Sequence, residues 1–248
     1  MKQLIKKTGF SIFLWCLIVG QAIAIETIKL EIRTIGIPPY GIENEADPSG
    51  IYYDAANLLV QKAGYQADNL IYPYARIIEE LKSGDTDLTI MFKYKELVDH
   101  VIYIAPLPTL RTVVIGRLGT SYNSIDELNG KTIGYLRGAR FSDTIDNSPL
   151  IIKQATDDFS QGARMLMSGR VDALIGPLDP ILKAVENIGS KKSLLGTPFT
   201  VDERTPWVQI SKKSVDKVSI EKLKNIFLNI VLSGELNDIK DKYGATYE

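Results

Sequence analysis

The stretch 81-LKSGDTDLTI-90 returns as 166-LMSGRVDALI-175, without a gap, 85 residues further on. Both copies spell Leu-x-Ser-Gly-x-x-Asp-x-x-Ile. Each has the same physical parts. An apolar-periodic helix runs into Ser-Gly. Gly84 or Gly169 can take the left-handed conformation that closes a helix. Asp87 or Asp172 then suits the turn, and a short apolar run, 88–92 or 173–176, reads as a buried strand. This is one helix–turn–strand step of an α/β sheet, used twice. Ser-Gly-x-x-Asp is also common loop chemistry. Its repetition in register predicts two similar α/β lobes, with whatever binds lying between them.

The bulk properties fit that picture. The chain has 248 residues, 45% hydrophobic and 24% charged. That is enough for two lobes of ~100 residues each. The net charge is −1 and the pI about 6.0. No basic stretch with interleaved aromatics follows the first seven residues, which argues against nucleic acid as a partner. The N-terminus reads as a secretory signal peptide, residues 1–24. Lys2, Lys6 and Lys7 make a positive segment, 10-FSIFLWCLIVG-20 is apolar, and Ala22-Ile23-Ala24 is a cleavage site. The run is too short to span a bilayer comfortably. Cys16 is the only cysteine, so cleavage after Ala24 leaves no disulfide or thiol chemistry. It also removes three lysines and takes the net charge to −4. The expected location is the periplasm.

Outward from the repeat, strands and helices alternate. Residues 28–37, IKLEIRTIGI, alternate apolar and charged and predict a first strand with one face partly wet. Pro38-Pro39-Tyr40-Gly41 ends it. Asp54 is placed to cap a helix over 55–63. A strand over 70–74 precedes a helix over 77–82. Residues 112–116, TVVIG, predict another strand. Ser124-x-x-Glu127 spells a capping box, and 132–136 is the next strand. Gly138 opens a helix over 140–146. A strand at 151–156 and a helix over 157–167 lead into the second copy. A helix over 177–188 follows, with Asp179 as its cap. After a strand at 207–211, residues 218–233 form an amphipathic helix with Ile220, Leu223, Ile226, Phe227 and Ile230 on one face. Residues 236–243 form a last short helix. This alternation predicts largely parallel sheets.

Read in order, these pieces resemble the extracytoplasmic solute-binding proteins of family 3, the polar-amino-acid-type binding proteins of ABC transporters. The matching residues are the strand ending Ile37-Pro38-Pro39-Tyr40, Gly50-x-x-x-Asp54, the two Ser-Gly steps, and Ala105-Pro106-Leu107 before a strand. They continue with Leu128-x-Gly130-Lys131-Thr132-Ile133-Gly134 leading to Gly138, then Gly234-x-Leu236 and Lys242-Tyr243-Gly244. The match spans roughly residues 27 to 245. It implies the two-lobe type II periplasmic binding protein fold, each lobe a mostly parallel sheet flanked by helices. The lobes would be 25–110 plus 205–248, and an inserted 111–204, joined by a two-strand hinge that closes on a ligand.

The resemblance also shows what is missing. Amino-acid binders of this family place an Arg about nine residues before the lobe-ending Pro, to clamp the ligand carboxylate. That position here is Leu97. They place an Asp five residues after the Asp of the second step, to hold the ammonium. That position is Pro177. A buried charge without a partner costs several kcal/mol, so an ordinary α-amino acid is not the expected ligand.

The remaining candidates near the expected cleft each have a structural alternative. Tyr40 lines the site or packs on its own lobe. Arg76, after Tyr72-Pro73-Tyr74, is a substitute anion clamp or an exposed Arg covering Tyr74. Met91, Phe92 and Tyr94 stack on a ligand or fill the core. Gly138 and Arg140 precede a helix whose first N–H groups suit an anion. His100, the lone histidine, reads as structural, and no metal-ligand spacing is present. The expected function is a monomeric, cofactor-free, non-catalytic binding protein. It takes a small polar or anionic ligand and serves an ABC permease. The alternatives are a ligand-sensing module of a membrane receptor and, further off, a dehydratase-type enzyme.

Overall fold

The computed structural model describes residues 27–44 and 47–245. The expected signal peptide, with Cys16 and the site after Ala24, lies outside the described residues. The chain runs β1 (Lys29–Ile35), α1 (Ile51–Lys62), β2 (Gln66–Tyr72), α2 (Tyr74–Ser83), β3 (Leu88–Phe92) and β4 (Val101–Pro106). It continues with β5 (Leu110–Gly116), β6 (Thr132–Leu136), α3 (Asp143–Asn147), β7 (Ile152–Thr156) and α4 (Phe159–Met167). Then come β8 (Ala173–Pro177), α5 (Leu178–Asn187), β9 (Phe199–Arg204), β10 (Pro206–Ser211), α6 (Ile220–Leu232) and α7 (Glu235–Lys242).

Two five-stranded sheets result, β2-β1-β3-β10-β4 and β7-β6-β8-β5-β9. Both are mixed. β1 is parallel to β2 and β3, and β6 to β7 and β8. The antiparallel pairs come from strands next to the two places where the chain changes sheet. β10 runs against β3 and β4, and β5 runs against β8 and β9. Those places are residues 107–109 and Thr205. Each sheet carries its own apolar core, and Ile37 packs against both.

The wet part of β1 is its start, where Lys29 is exposed and Glu31 half-buried as the alternation predicts, while Arg33 further along is enclosed. Arg33 is only 8% exposed. It donates to Glu31 at 2.8 Å and lies 3.3 Å from Glu80. α6 buries Leu223, Phe227 and Ile230 completely, a contribution of about 1.5–3 kcal/mol for each side chain.

The repeated aspartates do the same job in both sheets. Gly84 (φ 86°) and Gly169 (φ 76°) are left-handed as their helices end. Asp87 Oδ2 accepts from Glu31 N at 2.8 Å, and Asp172 Oδ2 accepts from Thr132 N at 2.7 Å. The backbone answers in reverse: Asp87 N donates to Glu31 O at 2.7 Å and Asp172 N to Thr132 O at 2.8 Å. Each aspartate therefore grips the neighbouring parallel strand twice.

Several expected boundaries move. α1 begins at Ile51 with Gly50 as its cap, so Asp54 does not cap it. Asp54 instead accepts from Tyr243 Oη at 2.7 Å and Lys242 Nζ at 2.9 Å, while Tyr243 Oη accepts from Gly50 N at 2.9 Å. That closes the C-terminus onto α1. Residues Ile125–Leu128 make only a 3-10 turn, without a side-chain cap from Ser124. α2 starts at Tyr74, three residues early, because Pro73 is extended and suits the cap position. α3 is short and begins at Asp143, so Gly138, in a turn, and Arg140 both stand before it. Asp179 lies inside α5; its cap is Pro177.

Candidate functional site

The loop after β1 brings Tyr40 inward. Tyr40 is 3% exposed and its ring stacks on Tyr52 at 4.4 Å and 12°. Gly50 makes this approach possible. Its φ is +130°, and a Cβ there would fall 2.5 Å from the Tyr40 carbonyl oxygen. Tyr52 N donates to that same oxygen at 2.9 Å. The C-terminal end of β3 adds Met91 and Phe92, and Tyr74 stands at the start of α2. From the other lobe come Leu136, Ala139, Phe141 and Pro177. These residues enclose a narrow cavity of about 30 Å³ between the sheets, room for a water or two. Its lining contains no charged side chain.

Beside it lies a wider, polar space of about 550 Å³. Lys93, Tyr94, Lys95 and Glu96 line it from the first lobe, and Arg140, Asp143, Asp146 and Asn147 from the second. Arg204, the last residue of β9, joins them at the crossing. Its guanidinium donates to the carbonyl of Arg140 in one lobe and to that of Lys93, at 3.1 Å, in the other. It sits 5.0 Å from the Phe92 ring and 5.7 Å from the Tyr94 ring. Lys93 Nζ lies over Trp207 at 3.7 Å and Tyr103 at 4.5 Å. Cation–π contacts of this kind stabilise by about 0.5–2 kcal/mol.

Titration follows burial here. Tyr94, 5% exposed and edge-on to Tyr74 at 5.0 Å, is pushed up to about 12 by burial. Burial also raises the Asp146 carboxyl. Asp146 Oδ1 takes the Tyr135 hydroxyl and the N–H groups of Phe141 (3.5 Å) and Ser142 (3.4 Å). The N–H groups ahead of α3 are therefore already used by the protein. On another face, burial raises Asp179 and lowers Lys240 of α7, each partly offset by the other's charge. That is a second electrostatic link between the lobes.

Of the residues singled out from sequence, the structure brings Tyr40, Met91 and Phe92 to the dry cavity, and Tyr94 and Arg140 to the polar one. Gly138 (φ 76°) lies where the lobes touch, with a Cβ on it 3.9 Å from that of Ala75. Arg76 is elsewhere. It pairs with Glu80 at 2.7 Å and covers the ring of Tyr72, not Tyr74, at 3.6 Å. Leu97 is fully buried in the first core. Sequence reasoning missed Tyr52, Tyr74, Phe141 and above all Arg204. Only its place just before the strand at 207–211 marked it.

Among the described residues, no group of three or more His, Cys, Asp or Glu is placed to hold a metal ion. No helix among them is long and apolar enough to cross a membrane.

The sequence profile of bacterial extracellular solute-binding proteins, family 3, matches residues 32–246. No curated protein matches the chain. Among solved structures, an ancestral arginine-binding protein bound to arginine superposes with a TM-score of 0.72 at 21% identity, over 88% of this chain and 98% of that one. A histidine kinase sensor domain with similarity to periplasmic binding proteins gives 0.74 at 14%, over 90% and 98%. The GluR0 ligand-binding core from Nostoc punctiforme, in complex with L-glutamate, gives 0.73 at 18%, over 87% and 99%. The fold is that of the type II periplasmic binding proteins.

Proposed function

The chain belongs to the bacterial extracellular solute-binding proteins, family 3, and from that premise we propose that it binds one small solute between its lobes, without catalysis, and delivers it to an ABC-type permease. The lobes are residues 25–110 plus 205–248, and 111–204. The protein is exported by a leader ending at Ala24 and acts as a periplasmic monomer.

The observation that carries this reading is the cleft itself. Residues from both lobes converge on it across two short chain crossings, the arrangement in which hinge closure encloses a ligand. Its chemistry sets the kind of solute. No charged side chain lines the dry part. The two ionised ends of an α-amino acid would lose water there without partners, at a cost of several kcal/mol. Pro177 in this lining and the fully buried Leu97, at the positions where the family's amino-acid binders carry an Asp and an Arg, support a solute that is not an ordinary α-amino acid.

A sensing role is the second reading. A kinase sensor domain and a receptor ligand-binding core resemble this fold as closely as the arginine-binding protein does. A genomic neighbour that is a permease supports transport; a sensor kinase supports sensing.

A thermal-shift screen of amino acids, polyamines, organic acids and small sugars tests binding. A compound at 100 times its Kd adds about 2.7 kcal/mol, and the expected result is such a rise with no turnover of the compound. A rise with a standard α-amino acid contradicts the solute class, and conversion to product contradicts the non-catalytic role.

A further inference from the structure

We propose that Arg204, with Arg140 beside it, is the receptor for the ligand's charge, and that the ligand is a small organic carboxylate with an apolar body and no ammonium group. This rests on the solute-binding reading above and specifies its ligand.

Arg204 stands where the two cavities meet. Phe92 walls the dry cleft and Tyr94 the polar space, and the Arg204 guanidinium faces both rings. Two backbone carbonyls, one from each lobe, hold it in place. A guanidinium has five N–H donors, so this leaves donors for an anion. No carboxylate side chain pairs with Arg204, Arg140 or Lys93 among the described residues. Guanidinium geometry matches a carboxylate with two parallel hydrogen bonds.

The polar rim holds four cations against three acids. Asp146 is the most enclosed of those acids: one oxygen takes Tyr135, Phe141 and Ser142, the other is buried without a hydrogen bond, and burial disfavours its charged form while the Arg204 charge partly offsets this. The dry cavity then receives the apolar part, against Tyr40, Phe92 and Phe141. At about 30 Å³ it admits a short-chain or single-ring body only as the lobes part at the crossings. Once that body is seated, closing the lobes re-forms the contact between Arg204 and the Lys93 carbonyl of the first lobe. That couples recognition to closure.

Calorimetric titration of the purified protein with isovalerate and phenylacetate, their amides, and leucine and phenylalanine tests this. The expected result is that an acid binds, its amide binds at least about tenfold more weakly, and the amino acid binds no better than the amide. Arg204→Gln weakens the acid by a similar factor, and Arg204→Lys by less. Without ligand both variants melt lower than the parent, having lost contacts of Arg204, but still melt cooperatively, which separates lost binding from lost folding. Equal binding of acid and amide, tighter binding of the amino acid, or an unaffected Arg204→Gln overturns the proposal. If none of the six compounds binds but another solute from the wider screen does, this inference fails and the solute-binding function stands. If nothing binds in either experiment, both fail.

Discussion

Tyr94 shows how much one residue's environment decides. Its ring is edge-on to Tyr74, its hydroxyl is enclosed, and burial pushes its titration up to about 12. A raised folded-state pKa means that the fold prefers the protonated phenol. The associated stability is complete below the ordinary tyrosine value of 10.0 and is lost as pH rises towards about 12. Urea unfolding at pH 9 to 12 should therefore show Tyr94→Phe losing less stability than the parent, by on the order of 2 kcal/mol at the alkaline end. Parallel curves would mean that Tyr94 is not enclosed. Residue roles were unevenly legible. Tyr40 and Phe92 follow proline and strand signals that place them at strand ends. Arg204 sits in VDERTP, a polar run indistinguishable from a surface loop until β5 pairs with it. Arg76 looked equally promising, but Glu80, one helical turn on, takes its charge.

At the scale of elements, the twice-used helix–turn–strand step was readable because its glycine has a local physical reason. What its aspartate holds was not, since the gripped strands lie 56 and 40 residues upstream. The two copies also differ. Asp87 is fully buried and adds Ser214 Oγ at 2.5 Å and Lys217 Nζ at 2.7 Å. Asp172 is exposed. Asp87→Ala leaves a buried N–H and hydroxyl without partners and should cost about 3 kcal/mol in urea unfolding. Asp172→Ala, whose partners reach water, should cost about 1 kcal/mol. Equal costs would mean that the shared motif, not burial, sets its value. The same limit hid the Asp54–Tyr243–Gly50 closure, whose members are nearly the whole chain apart. The starts of α2 and α3 had local causes instead, Pro73 just before α2 and Asp146 within α3, which apolar periodicity does not register.

For the whole molecule, the step repeated at 81–90 and 166–175 was enough to foresee two similar α/β lobes. The mixed sheets follow from connectivity that periodicity does not encode, because β10 and β5 must run back against the strands that precede the crossings. The proposed site lies between the lobes. The dry, aromatic part of the cleft adjoins a polar part lined by four cations and three acids, and two short crossings carry the chain between its walls. The central claim, that these lobes close on a small solute, has a direct test. Spin labels at Glu79→Cys on α2 and Asp157→Cys before α4, in the exported protein after loss of residues 1–24 and with them Cys16, report the distance across the cleft by pulsed electron resonance. The account predicts a broad or longer distance distribution that collapses to a shorter one when a compound that raises Tm is added. An unchanged distribution with a bound, stabilising compound would contradict closure on the ligand.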